Sequence, residues 1–264
     1  MRTQIVLTFG LICLLIISLG MYASADLAGY WSFDEGSGKV TKDLSGKGNN
    51  GELFNDPKWV DGKDGKALQF SSDPAPGSYV EIPNMGAIGK GSFTAMAWYK
   101  IENAAMDTSK LILCTGSCCW NEAGFYICLR PGGQITFELT ETNGTGGTAI
   151  NLDGVNTLDG KWHHIAGVYL FGTKASLYVD GTFGADVDMS AYKDGVASDR
   201  PLRIGEYFWQ EDTRLNFDGV IDEVALFDTA LTEAEIAVAM QSIVPAAVRP
   251  AGKLAATWGC IKAE

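Results

Sequence analysis

The chain has 264 residues, 46% of them hydrophobic and 20% charged, with 32 glycines and a formal net charge of −12. This is the composition of a globular protein with enough apolar mass for a substantial core, and it excludes a disordered or fibrous chain. The excess of 32 Asp and Glu over 20 Lys and Arg sets nucleic acid and anionic membrane surfaces aside as partners, because both would repel the molecule as a whole.

Residues 1–25 have the layout of an export signal: Arg2, an apolar run from Ile5 to Leu19, then Ala23-Ser24-Ala25. The run contains Gly10 and Ser18, is shorter than the ~20 residues of a membrane span, and is followed by no basic stop-transfer cluster. Cleavage after Ala25 is therefore expected, giving a secreted or cell-surface product without a transmembrane segment.

From Asp26 to about Asp228, short β-branched or aromatic runs alternate with Gly, Asp, Asn and Pro. The pattern predicts strands at Gly29–Asp34, Lys66–Ser71, Tyr79–Ile82, Ser92–Lys100, Leu111–Thr115, Phe125–Leu129, Gln134–Leu139, Trp162–Phe171, Lys174–Val179, Phe183–Val187, Leu202–Ile204 and Asn216–Phe227. So many strands exceed one open sheet, so the expected fold is all-β, a two-sheet antiparallel jelly-roll sandwich. Asp180-Gly181, set between two such runs, predicts a type I′ hairpin turn. One helix is legible in LTEAEIAVAMQ. There Thr232 and Glu235 have the capping-box spacing, and Leu231, Ile236 and Met240 form an apolar stripe. Residues 26–241 thus make one domain, and residues 242–264, with Pro245, Pro250, Trp258 and Cys260, a Pro- and Ala-rich linker and tail.

Export also governs the cysteines. Cys13 leaves with the signal, and Cys114, Cys118, Cys119, Cys128 and Cys260 remain. Oxidising compartments favour disulfides, and Cys114 and Cys128 end the arms of a predicted hairpin, so a Cys114–Cys128 bridge is the first expectation. A vicinal Cys118–Cys119 bridge, bridges from hairpin to tip, and zinc ligation remain open, although the spacing matches no common zinc module. Cys260 is then the odd thiol.

The blocks GYWSFDEGSG, DLSGKGNNGEL, ALQF, SFTAMAWYK, DGKWHHIAGVY, ASLYVDG and FDGVIDEVALFDTALTEAEI resemble, in order, the laminin-G-like branch of the concanavalin A-like lectin and glucanase superfamily. The resemblance spans about residues 27–241 and implies two antiparallel sheets with first and last strands adjacent. It leaves the cysteine hairpin and the tail without guidance.

Glucanase relatives carry Glu-x-Asp-x-x-Glu, because acid and nucleophile must flank one glycosidic bond. Here Val220 and Ala225 replace the two glutamates, and Asp222 and Glu223, being adjacent, are expected on opposite strand faces. His163 and His164 are also adjacent, so structural roles are expected for both, and no Gly-x-Ser-x-Gly elbow is present. Calcium is the more plausible chemistry. The resemblance implies a structural ion where the opening loop meets the last strand, pairing Asp43 and Asn49 with Asp222, with Asn50 and backbone carbonyls added. The plain alternative is that Asp43 and Asn49 make Asx-turns. For ligand binding the candidates are Trp120, Tyr207 and Trp209, with Phe208 and Gln210-Glu211-Asp212 beside them, whereas Trp31, Trp98 and Trp162 sit inside strand patterns and are expected in the core. Asn143-Gly144-Thr145 is a glycosylation sequon.

The sequence therefore predicts a secreted, non-enzymatic binding or adhesion domain recognising a glycan or an extracellular protein, with a structural calcium. The alternatives are a carbohydrate-active hydrolase or accessory module, and a structural surface or matrix protein.

Overall fold

The computed structural model describes residues 27–73, 76–83, 85, 88–101, 106–116, 123–141, 147–153, 155, 157–208 and 215–243. Among the described residues sixteen strands form two antiparallel sheets that pack face to face. They are β1 (Leu27–Trp31), β2 (Val40–Thr41), β3 (Gly51–Phe54), β4 (Lys58–Asp61), β5 (Lys66–Phe70), β6 (Tyr79–Ile82), β7 (Phe93–Lys100), β8 (Lys110–Cys114), β9 (Gly124–Leu129), β10 (Ile135–Thr140), β11 (Gly147–Leu152), β12 (Trp162–Leu170), β13 (Lys174–Val179), β14 (Thr182–Asp188), β15 (Leu202–Ile204) and β16 (Gly219–Phe227). The first sheet runs β14-β13-β12-β7-β16-β5-β4, with β1 also paired to β16, and the second runs β11-β10-β9-β8-β15-β6-β3-β2. The jelly-roll sandwich and the pairing of first and last strands are as expected.

The core lies where the inward faces meet. Phe93, Ala95, Ala97 and Tyr99 of β7 face Phe125, Ile127 and Leu129 of β9, and Trp31, Phe137 and Tyr169 fill the space between. Phe93 lies tilted by 34° against Phe125 at 4.7 Å and meets Phe137 edge-on at 6.3 Å, the latter a geometry that aromatic quadrupoles favour. Trp31 is fully buried, as expected. Trp98 is buried on the outward face instead, and Trp162 is only half-buried near the end of β12.

The helix α1 (Glu233–Ala239) has the full predicted capping box: Thr232 N donates to Glu235 Oε2 at 2.8 Å, and Glu235 N to Thr232 Oγ1 at 3.3 Å. It covers part of the outward face of the first sheet, where Leu231 and Ile236 pack on Tyr30, Met96, Ala166, Tyr178 and Phe227. The indole N–H of Trp98 donates to the Met240 carbonyl at 3.1 Å and fastens the end of the helix. At the β13–β14 hairpin, Asp180 and Gly181 both have positive φ, 50° and 76°, as a type I′ turn requires. No helix among the described residues is long and apolar enough to cross a membrane. Residues 1–26, which include the expected signal, the tail from residue 244 onward and the expected sequon lie outside the described residues.

Candidate functional site

The loop expected to hold calcium is organised by hydrogen bonds. Asp43 Oδ1 accepts from Ser45 N at 2.8 Å and from Tyr30 N at 3.1 Å, and Asp43 Oδ2 accepts from Asn49 N at 2.9 Å. Asn49 in turn donates through Nδ2 to the Ala28 carbonyl, and its own carbonyl takes the indole N–H of Trp31. Asn50 Oδ1 accepts from Asp43 N. This is the Asx-turn arrangement, in which the side chains satisfy the loop's backbone donors.

Asp222 belongs to a separate network. Its Oδ2 accepts from Lys63 N at 2.7 Å and Asp64 N at 3.3 Å, and its Oδ1 from Glu223 N at 2.9 Å. The glycine-bounded turn between β4 and β5 makes this possible, because a Cβ at Gly62 would stand 2.5 Å from Asp222 Oδ2. Asp43, Asn49 and Asp222 share no hydrogen-bond partner, and Asp43 and Asp222 each already accept three backbone N–H groups. Among the described residues no three His, Cys, Asp or Glu side chains converge on a position for a metal. The residues expected to bind calcium therefore do not fit it in this arrangement.

The expectation that Asp222 and Glu223 face opposite ways is corrected by a β-bulge. The register of β16 against β7 shifts between Asp222 and Ala225, and Glu223 has a φ of 50°. The extra residue lets Ile221 and Val224 both point into the core while Ala225 packs outward. Glu223 instead accepts the hydroxyl of the outward-facing Tyr30 at 2.5 Å. On one flank, β16 pairs with β5 through Gly219–Ile221 and with β1 through Val224–Phe227, so the two carboxyls occupy the seam between those strands. Asp222 ties down the β4–β5 turn and Glu223 ties down β1. Burial, with Glu223 beside it, pushes the Asp222 carboxyl up to about 7, against the pull of the three amides. Burial and the nearby Asp34 and Asp64 push Glu223 up to about 6. Asp222 is 0% exposed and Glu223 is half-buried, and the pair joins strands.

His163 and His164 do point opposite ways. His163 lies between Asp180 Oδ2 at 2.9 Å and Asp159 Oδ1 at 3.2 Å. His164 is buried edge-on against Trp98 with a centroid distance of 5.3 Å, neither ring nitrogen has a hydrogen-bond partner among the described residues, and burial lowers its pKa to about 4. It is a neutral packing residue.

Of the three aromatic residues expected to bind ligand, Trp120 and Trp209 lie outside the described residues, as do Phe208's neighbours Gln210, Glu211 and Asp212. Tyr207 is not an exposed platform: it is 2% exposed and packs with Leu111, Cys114, Tyr126 and Cys128 on the outward face of the second sheet. Arg203 explains why the chain closes down there. Its guanidinium bonds to Glu81 at 2.9 Å and to Glu206 at 2.8 Å, and lies between the rings of Tyr79 and Phe208 at 4.6 and 4.5 Å. Glu206 is buried, which pushes its carboxyl up to about 7 despite Arg203.

The expected Cys114–Cys128 bridge is absent. A register shift between Leu111 and Leu113 sets Cys114 opposite Tyr126 and Cys128 opposite Leu111, so the two stand on different rungs of the hairpin and lack the directly opposed geometry a cross-strand disulfide uses. Both keep their thiols. Cys114 donates to the Gly116 carbonyl at 2.7 Å, and burial pushes the Cys128 thiol up to about 12. Cys118, Cys119 and Cys260 lie outside the described residues.

The sequence offered no sign of an open cleft of about 1140 Å3 across β4, β5, β16 and the end of β7. Lys58, Gln69, Lys100 and Val220 contribute to its floor, with Asp56 and Asp73 on flanking loops.

A two-sheet jelly roll whose buried acids serve the architecture, and whose sheet face is left partly open, is a β-sandwich of the lectin type. The family model described as the concanavalin A-like lectin/glucanases superfamily, laminin G type, matches residues 74–237, and the chain belongs to that family. No curated protein matches the chain. Among solved structures it is similar to the binding domain of Paraclostridial Mosquitocidal Protein 1, with a TM-score of 0.66 and 18% identity over 81% of this chain and 51% of that one. It is also similar to the binding domain of botulinum neurotoxin DC in complex with rat synaptotagmin II, with a TM-score of 0.65 and 13% identity over 82% of this chain and 51% of that one. A third is the receptor binding domain of botulinum neurotoxin D, with a TM-score of 0.61 and 15% identity over 82% and 52%. The chain spans about half the length of these structures, and at such identities the likeness is one of fold.

Proposed function

We propose that this chain is a secreted, non-enzymatic binding domain that recognises a glycan or an extracellular protein, with residues 1–25 removed on export, 26–241 forming the folded module and 242–264 a tail. One observation carries the reading. The buried carboxylates Asp43, Asp222 and Glu206 are each occupied by backbone amides or by Arg203, while the open cleft includes the exposed polar side chains of Lys58 and Gln69. Catalysis needs reactive groups aimed at a substrate, and recognition needs only uncommitted ones. The neighbouring structures, which are themselves binding domains, support the same direction.

The test is a paired assay on the exported chain, residues 26–264. Binding is scored on a glycan array and against extracellular protein extracts, and hydrolysis on the same oligosaccharides by release of reducing ends. Saturable retention without new reducing ends is expected. Release of new reducing ends by the folded chain would overturn the non-enzymatic reading.

A further inference from the structure

Helix α1 covers only part of the outward face of the first sheet. In the uncovered part, strand register sets Lys58 of β4, Gln69 of β5, Val220 of β16, Lys100 of β7 and Trp162 of β12 side by side. With neighbouring strands ~4.8 Å apart, Lys58 and Lys100 stand about 14 Å from each other, and Trp162 extends the row by one more strand. The first four line the cleft, and the Lys100 ammonium lies 5.6 Å from the ring centre of the half-buried Trp162.

The charges around this row divide into committed and uncommitted groups. Asp61 is paired with Lys66 and Asp218 with Lys110, each at 2.7 Å, and Asp218 also takes the Ser72 hydroxyl. The side chains of Lys58 and Gln69 make no hydrogen bond or ion pair with the described residues, and Asp56 and Asp73 contribute two further carboxylates with no lysine of their own. Ammonium, amide and carboxylate are thus interleaved along one shallow strip.

We propose that this strip is a binding site for a short neutral oligosaccharide, an assignment that rests on reading the chain as a binding module and adds its ligand class and location. A sugar hydroxyl donates and accepts at once, so it can take a hydrogen bond from Lys58 or Lys100 and give one to Asp56, Asp73 or Gln69. The half-buried indole of Trp162, over which the Lys100 ammonium stands at 5.6 Å, holds that donor at the end of the row. A polyanion would meet Asp56, Asp73 and a molecule of net charge −12. A hydrophobic peptide anchor finds Val60, Phe70, Pro76 and Val220, of which Phe70 and Val220 are buried.

The experiment screens the exported chain, residues 26–264, on an array holding neutral, sulfated and uronate-bearing oligosaccharides, and then titrates the best neutral hit calorimetrically against Lys58→Ala, Gln69→Ala and Lys100→Ala. Lys58 and Gln69 are exposed, so folding is kept, and an unchanged melting temperature verifies this. Neutral hits with little salt dependence, weakened at least tenfold in the Lys58→Ala/Lys100→Ala double variant, are expected. Neutral hits bound equally well by that double variant would overturn the site while leaving the binding function standing. Hits confined to sulfated or uronate-bearing glycans would overturn the ligand class, and an empty array with a folded chain would overturn the glycan reading itself.

Discussion

Asp222 gives a stability prediction whose sign can be worked out. Its carboxyl is raised from the ordinary 3.8 to about 7, chiefly because it is buried, so between those values the folded chain holds a proton that the unfolded chain has released. Stability then falls as pH rises through this window, and the loss is complete above pH 7. At 1.36 kcal/mol per pH unit, ionised Asp222 costs about 4 kcal/mol at pH 8 relative to pH 4. Asp222→Asn keeps an oxygen for the amides of Lys63 and Asp64 but cannot ionise, and its buried NH2 costs about 1–3 kcal/mol. The variant should therefore be more stable than the parent by about 1–3 kcal/mol at pH 8 and less stable at pH 4. The assay is urea unfolding of both proteins from pH 4 to 8 in the presence of a chelator, with Glu223, Asp34, Asp64 and Tyr30 as the titratable neighbours common to both. A variant less stable than the parent at pH 8 would refute the reasoning. Repeating the series with calcium decides the metal question, since a bound cation would hold the carboxyls ionised and reverse the slope.

Three further outcomes are expected. Tyr207→Ala should lower stability by about 3–5 kcal/mol, because it empties a buried site beneath Phe208 and beside Tyr126; a melting temperature within a degree of the parent's would return Tyr207 to the surface. Thr232→Ala should cost about 1 kcal/mol by removing the cap of α1, with Thr232→Ser restoring most of it in the same denaturation series. Cys128, buried and with its thiol pushed up to about 12, should resist alkylation in the folded chain at pH 8 and react on unfolding, as peptide mapping by mass spectrometry would show. Rapid native labelling, or a disulfide to Cys128, would contradict the register of the β8–β9 hairpin.

Most strands that were legible in the sequence bury side chains on at least one face, and the edge strand Thr182–Asp188, with none buried, was legible through the Asp180-Gly181 turn before it. Phe93–Lys100 and Trp162–Leu170, at the centre of the first sheet, carry continuous apolar patterns because a core lies on one side and α1 or a neighbouring loop on the other. The strands that went unread, Val40–Thr41, Gly51–Phe54, Lys58–Asp61 and Gly147–Leu152, all lie at or next to sheet edges. An edge strand contributes few buried residues, and Lys58–Asp61 alternates weakly, with two exposed ends and two half-buried centres. That is also why the cleft was invisible: its floor belongs to strands whose outward residues were never required to be apolar, and only the register between β4, β5, β16 and β7 brings Lys58, Gln69 and Lys100 into one row.

The carboxyls of β16 show how a period rule fails at a functional position, and where the sequence signals it. Strict alternation from Ile221 would send Glu223 inward with Ala225, placing a carboxylate among Trp31, Leu68 and Tyr99, at a desolvation cost no local partner there would offset. The apolar residues record a different spacing: Ile221, Val224 and Leu226 are the inward ones, a step of three followed by a step of two, which requires one inserted residue between Asp222 and Val224. A bulge at Glu223 satisfies that spacing, turns Glu223 toward Tyr30, and lets β16 exchange β5 for β1 along one flank. The Asp-Glu dipeptide that resembled a damaged catalytic motif or half of a calcium site thus has a sufficient mechanical role.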